Sequence, residues 1–200
     1  SGCWGAMFSL TAVAEKLQAY LDNCIAVDDQ EPLFERFSRL AAESEAGADG
    51  LFIELFQKTY NENKELLEKA EPHNIARALM EGIVFLTRNR IDHLVQLTGH
   101  PGGRIVRTGG PTKSPVWPSI LADVLNRPVV LPETGEHAGA MGAVIMAGIG
   151  AGIFPDEKQG FLITRPRERV IEPDPERSER DQELYRDYAD KFDLLIESRV

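Results

Sequence analysis

The residues best suited to chemistry in this 200-residue sequence surround two adjacent glycines, Gly109 and Gly110. A short strand is predicted over residues 104–107, before the glycines, and a helical pattern begins at Ser114. Paired glycines between a strand and a helix let a ligand approach the backbone closely, and the first turn of a helix offers unpaired N–H groups. The pattern therefore predicts either a ligand-binding turn or a tight strand-to-helix turn in which Ser114 is an ordinary N-cap.

Other candidate chemical groups are more typical of structure than of catalysis. Glu81 follows Arg77 by one helical turn within an apolar pattern, which predicts a buried ion pair. Trp117 is expected to pack against other apolar side chains. The four histidines lack the spacing of metal ligands, so no metal site is predicted on His73, His93, His100 or His137.

Composition limits the function classes that the chain could serve. Its length suits one domain or part of a larger enzyme, and its net charge of −10 comes without a basic stripe. Nucleic acid and anionic membrane surfaces are therefore unexpected partners. Cys3 and Cys24 are expected to be free thiols in a reducing cytoplasm. The most apolar run, over residues 138–154, is short for a membrane span and interrupted by glycines, which predicts a buried helix.

The elements that would position the glycine turn can be predicted from apolar periodicity and from the helix-ending residues. They are a helix over 72–98, a strand over 104–107, a helix over 114–126, a strand over 128–131 and a helix over 136–147. This alternation of helices and strands predicts an α/β fold.

The two ends of the chain have different patterns. Residues 5–10 are predicted as a short strand leading into a helix, and residues 31–46 as a second helix. Residues 51–69 fit either a strand or a charged helix. Residues 165–180 are dense in charge and proline, which predicts an extended linker before a final amphipathic helix over 178–197.

Three segments in the same order resemble the C-terminal domain of the FGGY carbohydrate kinases. Residues 104–129 include Thr-Gly-Gly-Pro-Thr-Lys-Ser-Pro-Val-Trp and resemble the family's glycine turn with its following helix. Residues 75–85 resemble a family helix of the form R-A-x-x-E-G-I-A-F, and residues 136–148 resemble a glycine- and alanine-rich helix. The resemblance extends over residues 72–154. The Ser-Pro-x-Trp sequence disfavours acetate and amino-sugar kinases of the same superfamily.

The resemblance implies a ribonuclease-H/actin-like ATPase fold of the α/β class, with helical insertions and a C-terminal helix. Residues 1–160 would form a nucleotide-side domain that is incomplete at its N-terminal end, and residues 161–200 a charged linker and helix. The implied reaction transfers the γ-phosphoryl group of ATP, with Mg²⁺, to a hydroxyl of a sugar or polyol such as xylulose, ribulose or erythritol. We expect a cytoplasmic enzyme whose final helix packs within the chain or against a second subunit in a homodimer.

The resemblance also implies roles for residues of the glycine turn. Gly110 and Ser114 match the two family positions that contact ATP, while Gly109 and Lys113 are their neighbours. Lys113 could face the phosphates or simply be solvated. The family's catalytic base is an aspartate in a motif that precedes the matched region, so no catalytic residue is assigned in this chain. We expect the fragment alone to be inactive, with weak nucleotide affinity at most.

Two departures from the family pattern leave alternatives open. The phosphate hairpin with its Gly-Thr pair either precedes Ser1 or corresponds to residues 1–4, which would put Cys3 at the threonine position. A substrate-side P-x-x-x-G-x-R-x-P segment is not recognisable in residues 51–60. The alternative function is therefore a non-catalytic actin-like module with a structural or regulatory role.

Overall fold

The computed structural model describes residues 5–25 and 31–194, so the question raised by Cys3 lies outside the described residues. The elements, in chain order, are α1 (Val13–Cys24), α2 (Leu33–Glu43), α3 (Tyr60–Leu67), α4 (Pro72–Thr98), β1 (Ile105–Val106), α5 (Trp117–Leu125), β2 (Val129–Pro132), α6 (Ala138–Gly150), α7 (Glu157–Thr164), β3 (Glu168–Ile171) and α8 (Pro175–Lys191). Short 3-10 turns lie at Ala48–Gly50, Gly110–Lys113 and Gly135–His137.

A small mixed sheet carries the glycine turn at one end. β1 is parallel to β2, with Ile105 opposite Val129. β3 is antiparallel to β2, with Ile171 opposite the same valine, so the strand order is β1-β2-β3. Parallel neighbours need a crossover connection, and α5 supplies it. The predicted α/β alternation is confirmed in this part of the chain.

The long helix α4 runs through the core with the bounds that the sequence predicts. Pro72 occupies its first turn, where a missing N–H costs nothing, and Gly99 ends it with φ of 65°. Nearly every side chain from Ile75 to Leu86 is buried. Helices α2, α5 and α8 pack against it. This packing explains why its apolar face is wider than that of a surface helix.

Helix α8 joins distant parts of the chain to this core. The Tyr188 hydroxyl donates to the carbonyl oxygen of Ile53 at 3.2 Å, and its ring is fully buried against Phe85. Just beyond the end of α8, the carbonyl oxygen of Leu194 accepts a hydrogen bond from the Asn89 amide at 2.8 Å. The final helix therefore packs within the chain, as one of the two predicted arrangements requires.

The expectation of an extended linker over residues 165–180 is wrong. β3 lies within this segment, and α8 begins at Pro175. Asp174 accepts a hydrogen bond from the backbone N–H of Arg177, which is an N-cap followed by proline at the first helical position. Charge and proline thus mark an edge strand and a helix start here. The division of the chain near residue 160 stays a prediction.

The first predicted strand is also wrong. Residues 5–10 form no strand, are mostly exposed and have no strand partner in the described chain. The ambiguous segment resolves into an irregular stretch over 51–59 followed by helix α3. The helix predicted over 31–46 forms as α2, and the helix predicted over 136–147 forms as α6.

Helix α6 differs from α4 because it is apolar throughout and largely exposed. Its sequence contains only glycine, alanine, methionine, valine and isoleucine. Gly148 is the one α6 residue that is fully buried. The sequence predicts a buried helix here, and this prediction is wrong for the described chain, in which most of α6 is exposed. Across the described chain, no helix combines the length and apolar character needed to cross a membrane.

Candidate functional site

The glycine turn is held rigidly by hydrogen bonds to the neighbouring loop. Gly109 has φ of 87°, a conformation that side chains other than glycine rarely adopt. Its N–H donates to the carbonyl oxygen of Gly135 at 3.0 Å, and its own carbonyl accepts from the Thr112 hydroxyl at 2.6 Å. Gly109 thus fixes the path of the chain. The next residue, Gly110, is exposed to solvent.

Gly110 lies at the start of the 3-10 turn and faces open space. A Cβ atom placed on it would meet no atom within 4 Å. Its φ does not require glycine either. The protein's own packing therefore gives no reason for glycine at this position. The space beside its backbone is available for a ligand.

Ser114 is buried beneath the turn, and its hydroxyl contacts the start of α5. Its Oγ accepts hydrogen bonds from the backbone N–H groups of Trp117 at 3.1 Å and Val116 at 3.4 Å. Only 1% of its surface is exposed. The N-cap position of α5 is Val116 and not Ser114 as predicted, although the Ser114 hydroxyl accepts the first backbone N–H groups of the helix from two residues further back; contact with a nucleotide stays a prediction. Because Pro115 disfavours a helical conformation at Ser114, α5 begins at Trp117, three residues later than the sequence predicts.

Lys113 makes an ion pair at the rim of the turn. Its Nζ lies 2.5 Å from Oε2 of Glu136, and His137 Nε2 lies 3.3 Å from the other oxygen of that carboxylate. The hydrogen bond between them raises the pKa of Lys113 and lowers the pKa of Glu136. Both side chains are partly exposed, so this pair orients the lysine more than it stabilises the fold. No pattern in the sequence indicated that Glu136 would belong to the site.

A cavity of about 570 Å³ opens beside Gly110. Its rim contains the Lys113–Glu136 pair and Pro111. Its opposite wall is the apolar face of α1, and its floor is aromatic; the apolar lining residues are Val13, Ala14, Leu17, Leu21, Phe34 and Trp117. Cavities of this size with an apolar lining and a few polar groups at the edge suit small organic ligands. Its volume is large enough for a purine base.

Trp117 forms part of the floor and packs as predicted. Its ring stacks on Phe34 at 6.1 Å and meets the edge of Phe37 at 5.9 Å. The Arg107 guanidinium lies 5.3 Å from its centroid on another side. Burial lowers the pKa of Arg107 to about 10. These contacts hold the indole in place, so the floor is formed before a ligand arrives.

The α1 wall and Phe34 were missed as site residues. They precede the glycine turn by 76 to 97 positions, and the sequence offers only the apolar spacing of α1 and α2 as a signal. That spacing predicts buried faces, yet it does not say that a part of those faces would remain open opposite Gly110.

The Arg77–Glu81 ion pair belongs to the core, as predicted. The Arg77 Nε lies 2.6 Å from the Glu81 carboxylate, which also accepts a hydrogen bond from the Gly47 N–H at 3.0 Å. Burial raises the pKa of Glu81, and Arg77 opposes that rise. The carboxylate is 1% exposed and lines none of the cavities described here, which supports a structural role.

Metal ligands are not assembled around the cavity. Within residues 5–25 and 31–194, no three histidine, cysteine or carboxylate side chains are grouped to hold a metal ion. The cavity's carboxylate is that of Glu136, which is paired with Lys113. These residues therefore do not fit a divalent cation by themselves.

Comparison with known sequences places the chain in a protein family. The sequence profile described as FGGY family of carbohydrate kinases, C-terminal domain, matches residues 4–151. Autoinducer-2 kinase from Escherichia coli (strain K12) is 33% identical over 134 residues, which are 66% of this chain and 24% of that protein. The corresponding Klebsiella pneumoniae enzyme is 31% identical over 132 residues, or 64% of this chain and 25% of that protein. The chain thus spans about a quarter of these curated relatives.

Solved structures agree with the sequence comparison. Xylulose kinase from Rhodospirillum rubrum matches with a TM-score of 0.67 and 28% identity, over 91% of this chain and 38% of that chain. Plasmodium falciparum glycerol kinase with ADP matches with a TM-score of 0.59 and 17% identity, over 92% of this chain and 37% of that chain, which supports the fold alone. The predicted actin-like ATPase fold, present here in part, is confirmed. The chain belongs to the FGGY family of carbohydrate kinases, and residues 4–151 match their C-terminal domain.

Proposed function

We propose that this chain is the nucleotide-binding portion of an ATP-dependent kinase that phosphorylates a hydroxyl of a sugar or polyol. The observation that supports this most directly is the cavity beside Gly110, whose backbone is open to a ligand while Gly109 fixes the turn. We infer a substrate of the xylulose, ribulose or erythritol type and a cytoplasmic location. Nucleic acid and membranes are not expected partners.

Each part of the cavity has a proposed task in nucleotide binding. The apolar floor, with Phe34 and Trp117, would take the purine ring out of water. Gly110 would let the nucleotide lie against the backbone, since no side chain separates them. Lys113 would exchange part of its interaction with Glu136 for a phosphate oxygen. Gly109 and Ser114 would hold the turn and the start of α5 beneath the ligand.

ATP, when bound, supplies the phosphoryl group, and the residues of this chain bind and orient it. Phosphoryl transfer depends on positioning and charge neutralisation, together with a base for the acceptor hydroxyl. No catalytic residue is assigned here, and Mg²⁺ would be held by the nucleotide phosphates and by groups outside these residues. We therefore propose that the isolated chain does not turn over substrate. Robust phosphorylation of any pentose or polyol by this chain alone would overturn that part of the proposal.

Nucleotide binding can be tested with two matched glycine variants. Gly110→Val places a branched side chain in the cavity, and we expect it to weaken ATP binding by about tenfold or more in calorimetry. Gly103→Val is the control, because Gly103 also faces open space and lies before the turn. Equal ATP affinity in the two variants would contradict the proposed site. The unmodified chain is also tested in a longer form, extended towards the length of its relatives. If that form binds no ATP, the proposed kinase function is contradicted.

A non-catalytic actin-like module is the second candidate, and the segment over residues 51–59 favours it. The buried Glu54 carboxylate accepts a hydrogen bond from the Phe56 N–H at 2.9 Å, and the Ile53 carbonyl accepts one from Tyr188. The polar groups of this segment are therefore used in its packing beneath α8. The test uses a chain extended by the segments that flank the matched region in its relatives. If this longer chain binds ATP but phosphorylates no sugar, the non-catalytic module is supported over the kinase.

A further inference from the structure

Arg107 brings a positive charge into the interior at the end of β1. Its backbone N–H donates to the carbonyl oxygen of Val130 at 3.0 Å, so the ladder between the two parallel strands fixes its position. Val106 lines a groove beside α6, and alternation along the chain sends the next side chain to the opposite face of the sheet. The guanidinium of Arg107 therefore lies on the α5 side, where it is 5.3 Å from the centre of the Trp117 ring.

The charge of Arg107 has no counter-charge in the part of the chain that the structure describes. Its Nε atom is fully buried and has no hydrogen-bond acceptor there, and the Nε1 atom of the adjacent Trp117 is in the same situation. Burial alone lowers the pKa of Arg107 to about 10, because no carboxylate lies near enough to oppose that fall. Buried polar groups in native proteins are nearly always paired, so two neighbouring donors without acceptors require an explanation.

This unpaired charge works against the stability of the fold. A lowered pKa means that the folded state disfavours the charged form of the guanidinium, which nevertheless stays charged at neutral pH. The attraction between the guanidinium and the Trp117 ring offsets part of this cost. An apolar side chain of similar length would fill the same space without the cost of a buried ion. The packing of the chain therefore gives no reason for arginine at position 107.

A reason can be found in the cavity beside Gly110. Trp117 lines this cavity, and Arg107 contacts Trp117, so the charge lies one side chain away from the cavity. Arg107 also lies at the carboxyl end of β1, and ligands of α/β proteins bind beyond the carboxyl ends of parallel strands. Because an apolar ring and not water separates the charge from the cavity, its field is weakly screened there.

The other charges around the cavity do not supply a free cation. Lys113 is paired with Glu136, and Glu35 lies close enough to contribute to the raised pKa of this lysine. Glu35 is exposed, so solvent screens its charge more than that of a buried group. The whole chain has a net charge of −10, which repels an approaching phosphate. The charge of Arg107 opposes this repulsion at the cavity.

We propose that Arg107 is a positioning residue of the nucleotide site, and that its unpaired charge makes the cavity favour the polyphosphate of a nucleotide over an uncharged nucleoside. Arg107 acts across Trp117 and does not touch the ligand. The proposal rests on the proposed nucleotide binding and adds the residue that sets the charge preference of the site. An arginine that weakens the fold is retained here because it strengthens the binding of an anion.

Three variants of the 200-residue chain separate the charge of this side chain from its shape. Arg107→Met removes the charge, Arg107→Lys keeps it, and Arg104→Met is the control because Arg104 is exposed and pairs with Glu168. Calorimetry at neutral pH measures the affinities for ATP, adenosine and inorganic tripolyphosphate. We expect Arg107→Met to weaken binding of ATP and tripolyphosphate by about tenfold and to leave adenosine unchanged. Arg107→Lys should retain most of the ATP affinity.

Thermal unfolding without ligand is a second measurement, and a purely structural role predicts the opposite result. Because the buried charge disfavours the folded state, Arg107→Met should raise Tm by about 2–4 °C. Arg104→Met removes an exposed ion pair and should change Tm by less than that. A residue that only supports the Trp117 ring would instead lower Tm when it is replaced.

The possible results distinguish this proposal from the proposed function. A higher Tm with weaker ATP binding and unchanged adenosine binding supports the role of Arg107. A lower Tm, or an equal loss for ATP and adenosine, overturns that role. Unchanged ATP affinity in Arg107→Met also overturns it and leaves nucleotide binding intact. If the unmodified chain binds tripolyphosphate through Arg107 but binds no ATP, the anion preference stands and the nucleotide function fails; if it binds neither, both fail.

Discussion

Helices α4 and α6 make opposite use of apolar sequence. α4 contains buried charges, Arg77 and Glu81, yet it is covered on several sides by elements of the same chain. α6 contains no charge at all, yet most of its residues face solvent. The difference shows that apolar composition predicts the need for burial and does not say which part of a protein supplies it. We therefore expect variants of α4 to behave as those of a covered helix and variants of α6 as those of an exposed one.

The largest expected effect comes from breaking the buried ion pair of α4. Arg77→Met leaves the Glu81 carboxylate without its cation in a site where it is 1% exposed. We expect the free energy of unfolding to fall by about 3–5 kcal/mol, measured by urea denaturation. Lys69→Met removes an exposed pair with Glu65 and should have little effect. Equal losses in the two variants would mean that α4 is not the covered helix described here.

A pair of glycine substitutions compares the two helices directly. A Cβ on Gly82 of α4 would clash with the carbonyl oxygen of Ile53, so Gly82→Ala should cost about 3 kcal/mol. A Cβ on Gly142 of α6 would meet nothing within 4 Å, so Gly142→Ala should stabilise the isolated chain by about 0.5–1 kcal/mol through helix propensity. Thermal unfolding of both variants checks this. Destabilisation by Gly142→Ala would show that α6 is covered after all.

The contact between α8 and α4 should depend on pH through Asp181. This carboxyl is 2% exposed and faces Glu81 and Arg77 of α4, Asp123 of α5 and Arg180 of its own helix. Burial, together with Glu81 and Asp123, raises the pKa of Asp181 to about 7. Because the folded state favours the protonated form, its stabilising contribution is complete below about pH 4 and is lost as the pH rises through 7.

The variant Asp181→Asn should remove this loss. At pH 8 we expect its free energy of unfolding to exceed that of the unmodified chain by about 2 kcal/mol, and the difference should shrink towards pH 4. Asp187→Asn, on the exposed side of the same helix, is the control and should show no such trend. A difference that grows towards low pH would have the wrong sign and would refute the assignment.

The smallest expected effect is on the exposed side of α6. Met146→Lys should change the free energy of unfolding of the isolated chain by about 0.5 kcal/mol or less, because this side chain already faces solvent. Leu97→Lys should behave in the same way. A large loss for Met146→Lys alone, in chemical denaturation, would mean that α6 has a partner within this chain.

Local signals in the sequence were sufficient for part of the fold. Pro72 and Gly99 mark the ends of α4, and the paired glycines mark the turn, because each of these residues acts through its own backbone. The linker prediction failed because β3 is a mostly exposed edge strand of the described sheet, and its Glu168 pairs with Arg104 and Arg165, which lie outside the strand. A charged edge strand and a charged linker have similar sequences, and only the partner strand distinguishes them.

The candidate site was predictable on one side. Gly109, Gly110, Lys113 and Ser114 are consecutive or nearly so, and the structure places all of them in the turn or directly beneath it. The opposite wall depends on the packing of α1 and Phe34 against Trp117, which is a tertiary property. Pro115 shifts the start of α5 to Trp117, although a proline at this position also fits the first turn of a helix that begins at Ser114.

The contacts of α8 have a consequence for the order in which the chain can fold. Tyr188 and Asn89 make hydrogen bonds across separations of 135 and 105 residues, so these contacts close very long loops. Contacts of this kind slow folding, and during synthesis they cannot form until Tyr188 and Leu194, respectively, have left the ribosome. Until then Phe85 and the segment around Ile53 lack their cover. We therefore expect the nascent chain to depend on chaperones until α8 is complete.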